Sequence, residues 1–444
     1  MGRKVSEPAG SVSGMTGLAE QVSSRAGARE EPPWTRFVRA QAGGLPRAFW
    51  ALWTGSLVNR VGYLVEPFLA YYLTGHRGLS VTTAGFVLAA NGLGGVVSQL
   101  VAGAAADRIG RRATLTLGML GNAASLVALG YARGIVPIIA VTFLFGVTVD
   151  IYRPASQALV ADLVRPADRP RAYGLLFWAV NLGFSVAMVL GGMLARAGFL
   201  WLFWADAVTC VAFGLVVWRL VPDTLPRREH AAAGGGGDGF GAVLRDAVMV
   251  GYLCLTLAYT FVYLQSATTL PLAMKLHGLA PGDYGLAVAV NGVLIVAIQP
   301  LVSSRLGRRD HATVLAAGIA VAGIGFGLTS VASSTLSFTA TVAVWTLGEI
   351  LTAGMAGAIV ADLAPAHLRG RYGGLTGAAW GAGYLLAPLG GTRLLVLGAP
   401  VLWLTCLGLC AVASAGLLAL GPAIRRRALA QPDTVSVPAA ADAA

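Results

Sequence analysis

The chain has 444 residues, of which 56% are hydrophobic and 12% charged, with a mean hydropathy of +0.71. That balance excludes a soluble globule and points to an all-α polytopic membrane protein. The net charge of +12 would suit a nucleic-acid binder, but the basic residues sit mostly at the ends of apolar runs on one side of the membrane, so topology explains the charge and no nucleic acid is expected.

Residues 1–46 are polar and lack the apolar core of a signal peptide, so they read as a disordered cytoplasmic tail, with Trp34 to Phe37 and Arg39 able to rest on lipid. About twelve apolar stretches follow, at 47–74, 80–106, 113–132, 135–163, 172–196, 199–220, 244–274, 281–304, 312–333, 336–363, 372–396 and 400–421. Each is long enough to cross about 30 Å of hydrocarbon. With the N-terminus inside, the cytoplasmic segments hold 25 of the 32 Lys and Arg residues, which places both termini in the cytoplasm.

Polar residues inside such spans are costly, so each is a functional candidate. In the first span Asn59, Gly62 and Glu66 recur at helical spacing, with Arg60 beside them and Pro67 set to kink the helix. Glu66, beside the kink where a gate would bend, is a second-choice candidate for proton coupling; the alternative is that it merely neutralises Arg60 elsewhere in the bundle. The stretch Gly103 to Leu115 places Asp107, Arg108, Arg111 and Arg112 between two apolar runs, with Gly110 as the turn former; it reads as a cytoplasmic hairpin tip.

That tip resembles the loop signature of the major facilitator superfamily, carried by Gly103, Asp107, Arg108, Gly110, Arg111 and Arg112. The resemblance implies two six-helix bundles, a substrate site between them at mid-membrane, and alternating access. It also implies that Asp162 pairs with an arginine of the loop, Arg112 first, and that Asp107 meets the start of the eleventh span, locking the outward-facing state. An interfacial acid near basic loops is the plainer reading of Asp162.

The fourth span carries Asp150, Arg153 and Gln157 on one face, either cavity lining or a structural ion pair. Arg153 resembles the superfamily's basic residue in this helix, without the glycines that usually follow. In the fifth span Gly174, Gly183, Gly191 and Gly192 are similar to the spacing of the drug and proton antiporters, although Ala187-Met188 stands where that group has Gly-Pro. Close helix packing is the alternative. Asp206, in the sixth span after Trp201 and Trp204, is a weaker proton candidate.

Residues 221–243, with Arg227, Arg228 and the glycine run 234–237, read as a cytoplasmic linker between bundles 47–220 and 244–421. The halves repeat at an offset of 200: Asn91-Gly92 with Asn291-Gly292, Gln99 with Gln299, Val160 to Leu163 with Val360 to Leu363, Gly174 and Gly183 with Gly374 and Gly383. The second-half loop at Ser303 to Arg309 lacks the aspartate.

Glu349, mid-way along the tenth span with no cation within a helical turn, is the first candidate for proton coupling. Tyr259, Tyr263 and Gln265, with Trp178 and Trp380, could line an aromatic cavity for a flat, apolar or cationic solute, or simply pack. The four cysteines read as buried small residues, all five histidines fall in or beside connecting segments, and residues 422–444 form a second tail.

No nucleotide-binding loop, metal set or cofactor site is visible, and no enzyme activity is expected. The reading is therefore a monomeric secondary carrier in the cell membrane, expelling a small hydrophobic or cationic molecule against protons. A nutrient symporter or uniporter, and a receptor on the same scaffold, are the alternatives.

Overall fold

The computed structural model describes Gly2 and residues 44–149, 156, 159–160, 163–165, 168–222, 243–306, 309–365 and 368–430. Asp150, Arg153, Gln157 and Asp162 lie outside the described residues, as do most of the expected tails and linker. Residues 46–444 form one compact unit.

The described secondary structure is helical throughout. The first half comprises α1 (Arg47–Val61), α2 (Val65–Tyr71), continued by a wider π turn over Tyr72–His76, α3 (Val81–Ile109), α4 (Arg111–Tyr131), α5 (Ile135–Val149), α6 (Arg169–Ala197) and α7 (Phe199–Leu220). The second half comprises α8 (Ala247–Tyr263), α9 (Gln265–Thr268), α10 (Leu270–Leu276), α11 (Pro281–Leu306), α12 (His311–Leu328), α13 (Thr335–Thr352), α14 (Met355–Leu363), α15 (Arg369–Leu397) and α16 (Ala399–Ala430). Among the described residues, nine helical stretches are long and apolar enough to cross a membrane. The other stretches expected from the sequence correspond to the interrupted pair α1 and α2, the shorter α5, and the arginine-bearing, glycine-rich α15.

Several boundaries differ from expectation. The basic loop is far shorter than its charges suggest, because α3 runs through Asp107 to Ile109 and α4 begins at Arg111. Gly110 alone turns the chain, at φ +87°, a conformation that any Cβ would strain. At the other end, α16 continues through Pro422 to Ala430, nine residues into what reads as tail. The reason is a staple: Arg427 binds the Asp246 carboxylate with both guanidinium nitrogens (Nη2 to Oδ1, 2.8 Å), while the Tyr372 hydroxyl donates to Asp246 Oδ2 at 2.8 Å. Asp246 in turn caps α8 by accepting from the Val248 and Met249 amides.

The two halves meet where α3 packs on α15 and α6 packs on α11. Glycine sets the spacing there. A Cβ on Gly92 would come within 2.7 Å of the Tyr384 carbonyl carbon, and one on Gly292 within 2.8 Å of the Asn181 carbonyl oxygen. With no hydrophobic force between helices in lipid, such close backbone approach supplies the packing contact. This gives a physical role to the Asn91-Gly92 and Asn291-Gly292 repeat.

Among the described residues, hydrogen bonds and ring contacts between the halves gather at the end opposite Gly110. Tyr71 donates to the Leu279 carbonyl (3.3 Å), Lys275 donates to Thr74 Oγ1 (3.1 Å), and Tyr284 packs edge-on against Phe68 at 5.5 Å. At the Gly110 end the helices carry Gly174, Gly357, Gly373 and Gly377, where an added Cβ meets no described atom within 4 Å.

Candidate functional site

Two polar clusters sit in mid-bundle, one in each half. In the second half, Glu349 projects from the last turn of α13. Its Oε1 accepts from the Tyr263 hydroxyl at 2.9 Å and its Oε2 from the Asn291 amide at 2.6 Å. Asn291, from α11, also donates to Thr346 Oγ1 at 3.1 Å, one turn before Glu349. Among the described residues every partner of this carboxyl is neutral, as the lack of a nearby cation in the sequence anticipates. Such a group can take up or release a proton without breaking an ion pair.

Aromatic rings surround it. Trp380 of α15 stands edge-on to Tyr263 at 5.9 Å, Tyr259 lies 6.2 Å from Tyr263, and the Tyr259 and Thr352 hydroxyls approach to 3.5 Å. Tyr259, Tyr263 and Trp380 therefore do assemble as one aromatic group. Among the described residues no ring contact ties Trp178 to this group; it stands 39% exposed on α6. Gln265 is not a lining residue either, because it is fully buried and spends its amide on the Phe261 and Ala387 carbonyls.

In the first half, Arg60 lies with its guanidinium carbon 4.7 Å over the Tyr63 ring, and the Tyr63 hydroxyl is hydrogen-bonded to Glu66. Tyr384 of α15 stands at the interface between the halves, its carbonyl close against Gly92 of α3. Tyr384 and Asn291 are functional candidates that residue-by-residue reading misses. The signal was in the repeat, since Tyr63 and Tyr263, Phe184 and Tyr384, and Asn91 and Asn291 are all 200 apart.

The expectation that Asn59 and Glu66 share one helical face is overturned, because the helix does not continue between them. α1 ends at Val61 and α2 starts at Val65. Pro67 lacks the N–H that would bond residue 63 and its ring crowds that carbonyl, so the chain breaks just before it. Asn59 instead turns into its own half, donating to Cys210 Sγ (3.4 Å) and Met119 Sδ (3.8 Å). Asp206, 3% exposed, accepts the Leu64 and Val65 amides on Oδ2, both at 3.1 Å. Asn59, Arg60, Tyr63, Asn122 and Asp206, with Phe145 and Val149, enclose a cavity of about 10 Å³, room for one water.

Of the loop residues, Arg112 holds its guanidinium carbon 4.7 Å over the Trp218 ring of α7, and Arg108 is exposed. Arg111 is half-buried at the start of α4. In the second half, His311 takes the corresponding place at the start of α12 and meets Asp362 at 2.7 Å. No group of three or more metal-ligating side chains occurs among the described residues.

Comparison with known proteins agrees with this architecture. The family profile described as Major Facilitator Superfamily matches residues 52–388. The chain is 28% identical over 354 residues to the uncharacterized MFS-type transporter YttB of Bacillus subtilis, covering 78% of this chain and 88% of that protein. It is 26% identical to the multidrug resistance protein MdtH of Klebsiella pneumoniae, over 71% of this chain and 78% of that one. Among solved structures, a peptide transporter POT in complex with sulfate superposes with a TM-score of 0.73 at 17% identity, covering 87% of this chain and 96% of that chain.

Proposed function

The chain belongs to the Major Facilitator Superfamily, and from that premise we propose that it is a proton-coupled exporter of small hydrophobic or cationic molecules. It works by alternating access of two six-span bundles, as a monomer in the cell membrane with both termini in the cytoplasm. One observation carries the proposal: a half-buried carboxyl, Glu349, held among the described residues by neutral donors only and walled by Tyr259, Tyr263 and Trp380. A cationic or flat apolar solute is attracted by aromatic faces and by the ionised carboxylate, whereas a proton on that carboxyl removes the attraction. Solute and proton then compete for one place. An inward proton gradient would drive the solute out.

The remaining geometry fits the same cycle. With the Gly110 end in the cytoplasm, the contacts of Tyr71 with Leu279 and of Lys275 with Thr74 would lie on the outer side, as an inward-facing state would have them. In the opposite state Asp107 would reach the start of α15 and Asp162 would engage the loop arginines. Glu66, Arg60, Asp150, Arg153 and Gln157 would line the first half's wall. The relationship to MdtH, named for multidrug resistance, favours export over uptake.

The test is transport in proteoliposomes under an imposed pH gradient, screening hydrophobic cations against sugars and amino acids. Proton release on substrate addition is expected, and Glu349→Gln should insert normally yet lower coupled flux by roughly tenfold or more. Co-uptake of solute and proton would replace the exporter with a symporter. A protein that moves no solute and tolerates Glu349→Gln would be a receptor.

A further inference from the structure

We infer that Asp206 is a positioning residue: its carboxylate caps the break in the first span and thereby fixes where Arg60, Tyr63 and Glu66 stand. In hydrocarbon every backbone N–H needs a partner, and a helix interruption at membrane depth is tolerated only where the protein supplies one. Here the regular ladder stops. The Gly62 amide still reaches the Val58 carbonyl, but Tyr63 bonds only three residues back, to Arg60, and Leu64 reaches back to Gly62. Val65 and Glu66 then open a new helix, whose third residue, Pro67, has no N–H to satisfy.

The side chain that meets the Leu64 and Val65 amides comes from a different span. Asp206 Oδ2 takes both Leu64 N–H and Val65 N–H, while Cys210 Sγ approaches Oδ1 at 3.6 Å. Cys210 is held in place by the amides of Asn59 and Asn122, at 3.4 and 3.3 Å. The carboxylate is therefore seated by both sides of the break, through Asn59 before it and Leu64 and Val65 after it. Gly62 permits the approach, since a Cβ there would overlap the Thr209 side chain of α7. Arg60 and Glu66 leave the chain on opposite sides of the capped turn, so the cap decides their separation. Other charged or titratable groups facing this site are Arg60, Tyr63 and Glu66.

This role differs from carrying a proton, and the side-chain chemistry separates the two. An asparagine oxygen can accept the same amides but cannot bind or release a proton; an alanine can do neither. Hydrogen exchange in peptides spanning 61–68 reads the cap directly and does not depend on the transport reading. Asp206→Ala should raise the exchange rate at Val65 by about tenfold or more, the loss of roughly one hydrogen bond, and at Leu64 by less, because its amide keeps the Gly62 carbonyl, whereas Asp206→Asn should stay within about threefold of the parent. Flux is the second readout: Asp206→Asn should retain pH-driven flux that Asp206→Ala loses, with the loss falling on maximal rate and substrate KM together. Unchanged protection in Asp206→Ala would overturn the cap. Should Asp206→Ala fail to fold, Asp206→Asn decides alone: protected amides with abolished coupling would make Asp206 a proton carrier and overturn the inference, and retained coupling supports it.

Discussion

The first and seventh spans are interrupted at the same register, yet they close the wound differently. Leu64 and Leu264 stand 200 residues apart, each next to the last residues of a first helical piece, α1 or α8. In the first span Leu64 reaches back only to Gly62, and an acid from α7, Asp206, accepts from both the Leu64 and Val65 amides. In the seventh the Leu264 amide still reaches the Thr260 carbonyl at 3.0 Å. The residue after it is Gln265, where the first span has Val65. Its oxygen accepts from Thr269 Oγ1 (2.8 Å) and Thr268 Oγ1 (3.3 Å), and its amide ties to Phe261 and Ala387. Asp206 itself has Cys406 as its counterpart. The duplicated halves thus share the bend and not its chemistry: one is closed by an acid from another helix, the other by a neutral amide of its own.

The largest effect should come from forcing the first half's solution on the second. Cys406→Asp would bury a carboxylate at the position corresponding to Asp206, in a half whose Leu264 amide is already bonded to Thr260. A charge of that kind inside a membrane span costs about 3 kcal/mol. The variant should therefore lose several degrees in thermal unfolding of the detergent-solubilised protein, more than Asp206→Asn does. Equal unfolding temperatures for Cys406→Asp and the parent would mean that the seventh span also has free amides, and the contrast would fail.

Much of this contrast is visible in the sequence once its period is known, and part of it is not. The apolar runs, the turn at Gly110 and the 200-residue offset follow from composition and spacing, because span length and glycine placement are local consequences of hydrocarbon thickness and backbone sterics. Glu349 stands out as well, being an acid without a cation near it in the chain. Asp206 reads only as an acid near an outer end; that it reaches the break in the first span depends on α7 crossing α1, a tertiary fact. Asn291 marks the repeat in the sequence, but its 2.6 Å bond to Glu349 requires α11 against α13. Asn59 was misplaced because helical periodicity was carried across Gly62, where Pro67 had already ended it.

The acid missing from the seventh span's break has an analogue at that span's start. Asp246 precedes α8, and its counterpart before α1 is Pro46. Asp246 lies outside the span, which begins at Ala247. Burial pushes its carboxyl up, but the hydrogen bonds from Arg427, Tyr372 and the Met249 amide outweigh that and hold the pKa at about 2, below the usual 3.8. The sign is that of a depressed acid: its stabilisation is fully present above about pH 4 and is lost as pH falls toward 2. After allowance for solvent screening it amounts to on the order of 1 kcal/mol. Unfolding temperature measured between pH 5 and pH 2.5 should fall less steeply in Asp246→Asn than in the parent. Parallel curves would remove the staple as a source of acid sensitivity and leave the second half without an acid of its own at a helix start.

The smallest expected effect tests the same contrast through sulfur. Cys210 and Cys410 are both buried and 200 residues apart, on α7 and α16. Cys210 sits among polar partners, Asp206, Asn59 and Asn122, whereas a Cβ built on Gly323 would fall against Cys410, which packs on that bare backbone. A serine hydroxyl at 210 can donate to Asp206 and accept from the two amides, so Cys210→Ser should lie within about 0.5 kcal/mol of the parent. Among the described residues no hydrogen bond from another helix reaches Cys410, and burying a hydroxyl there costs about 1 kcal/mol. A denaturation series on the two single variants checks the order. Were Cys410→Ser the better tolerated of the two, the polar seat around Asp206 would be a matter of packing, and the difference between the two breaks would not extend beyond the carboxylate itself.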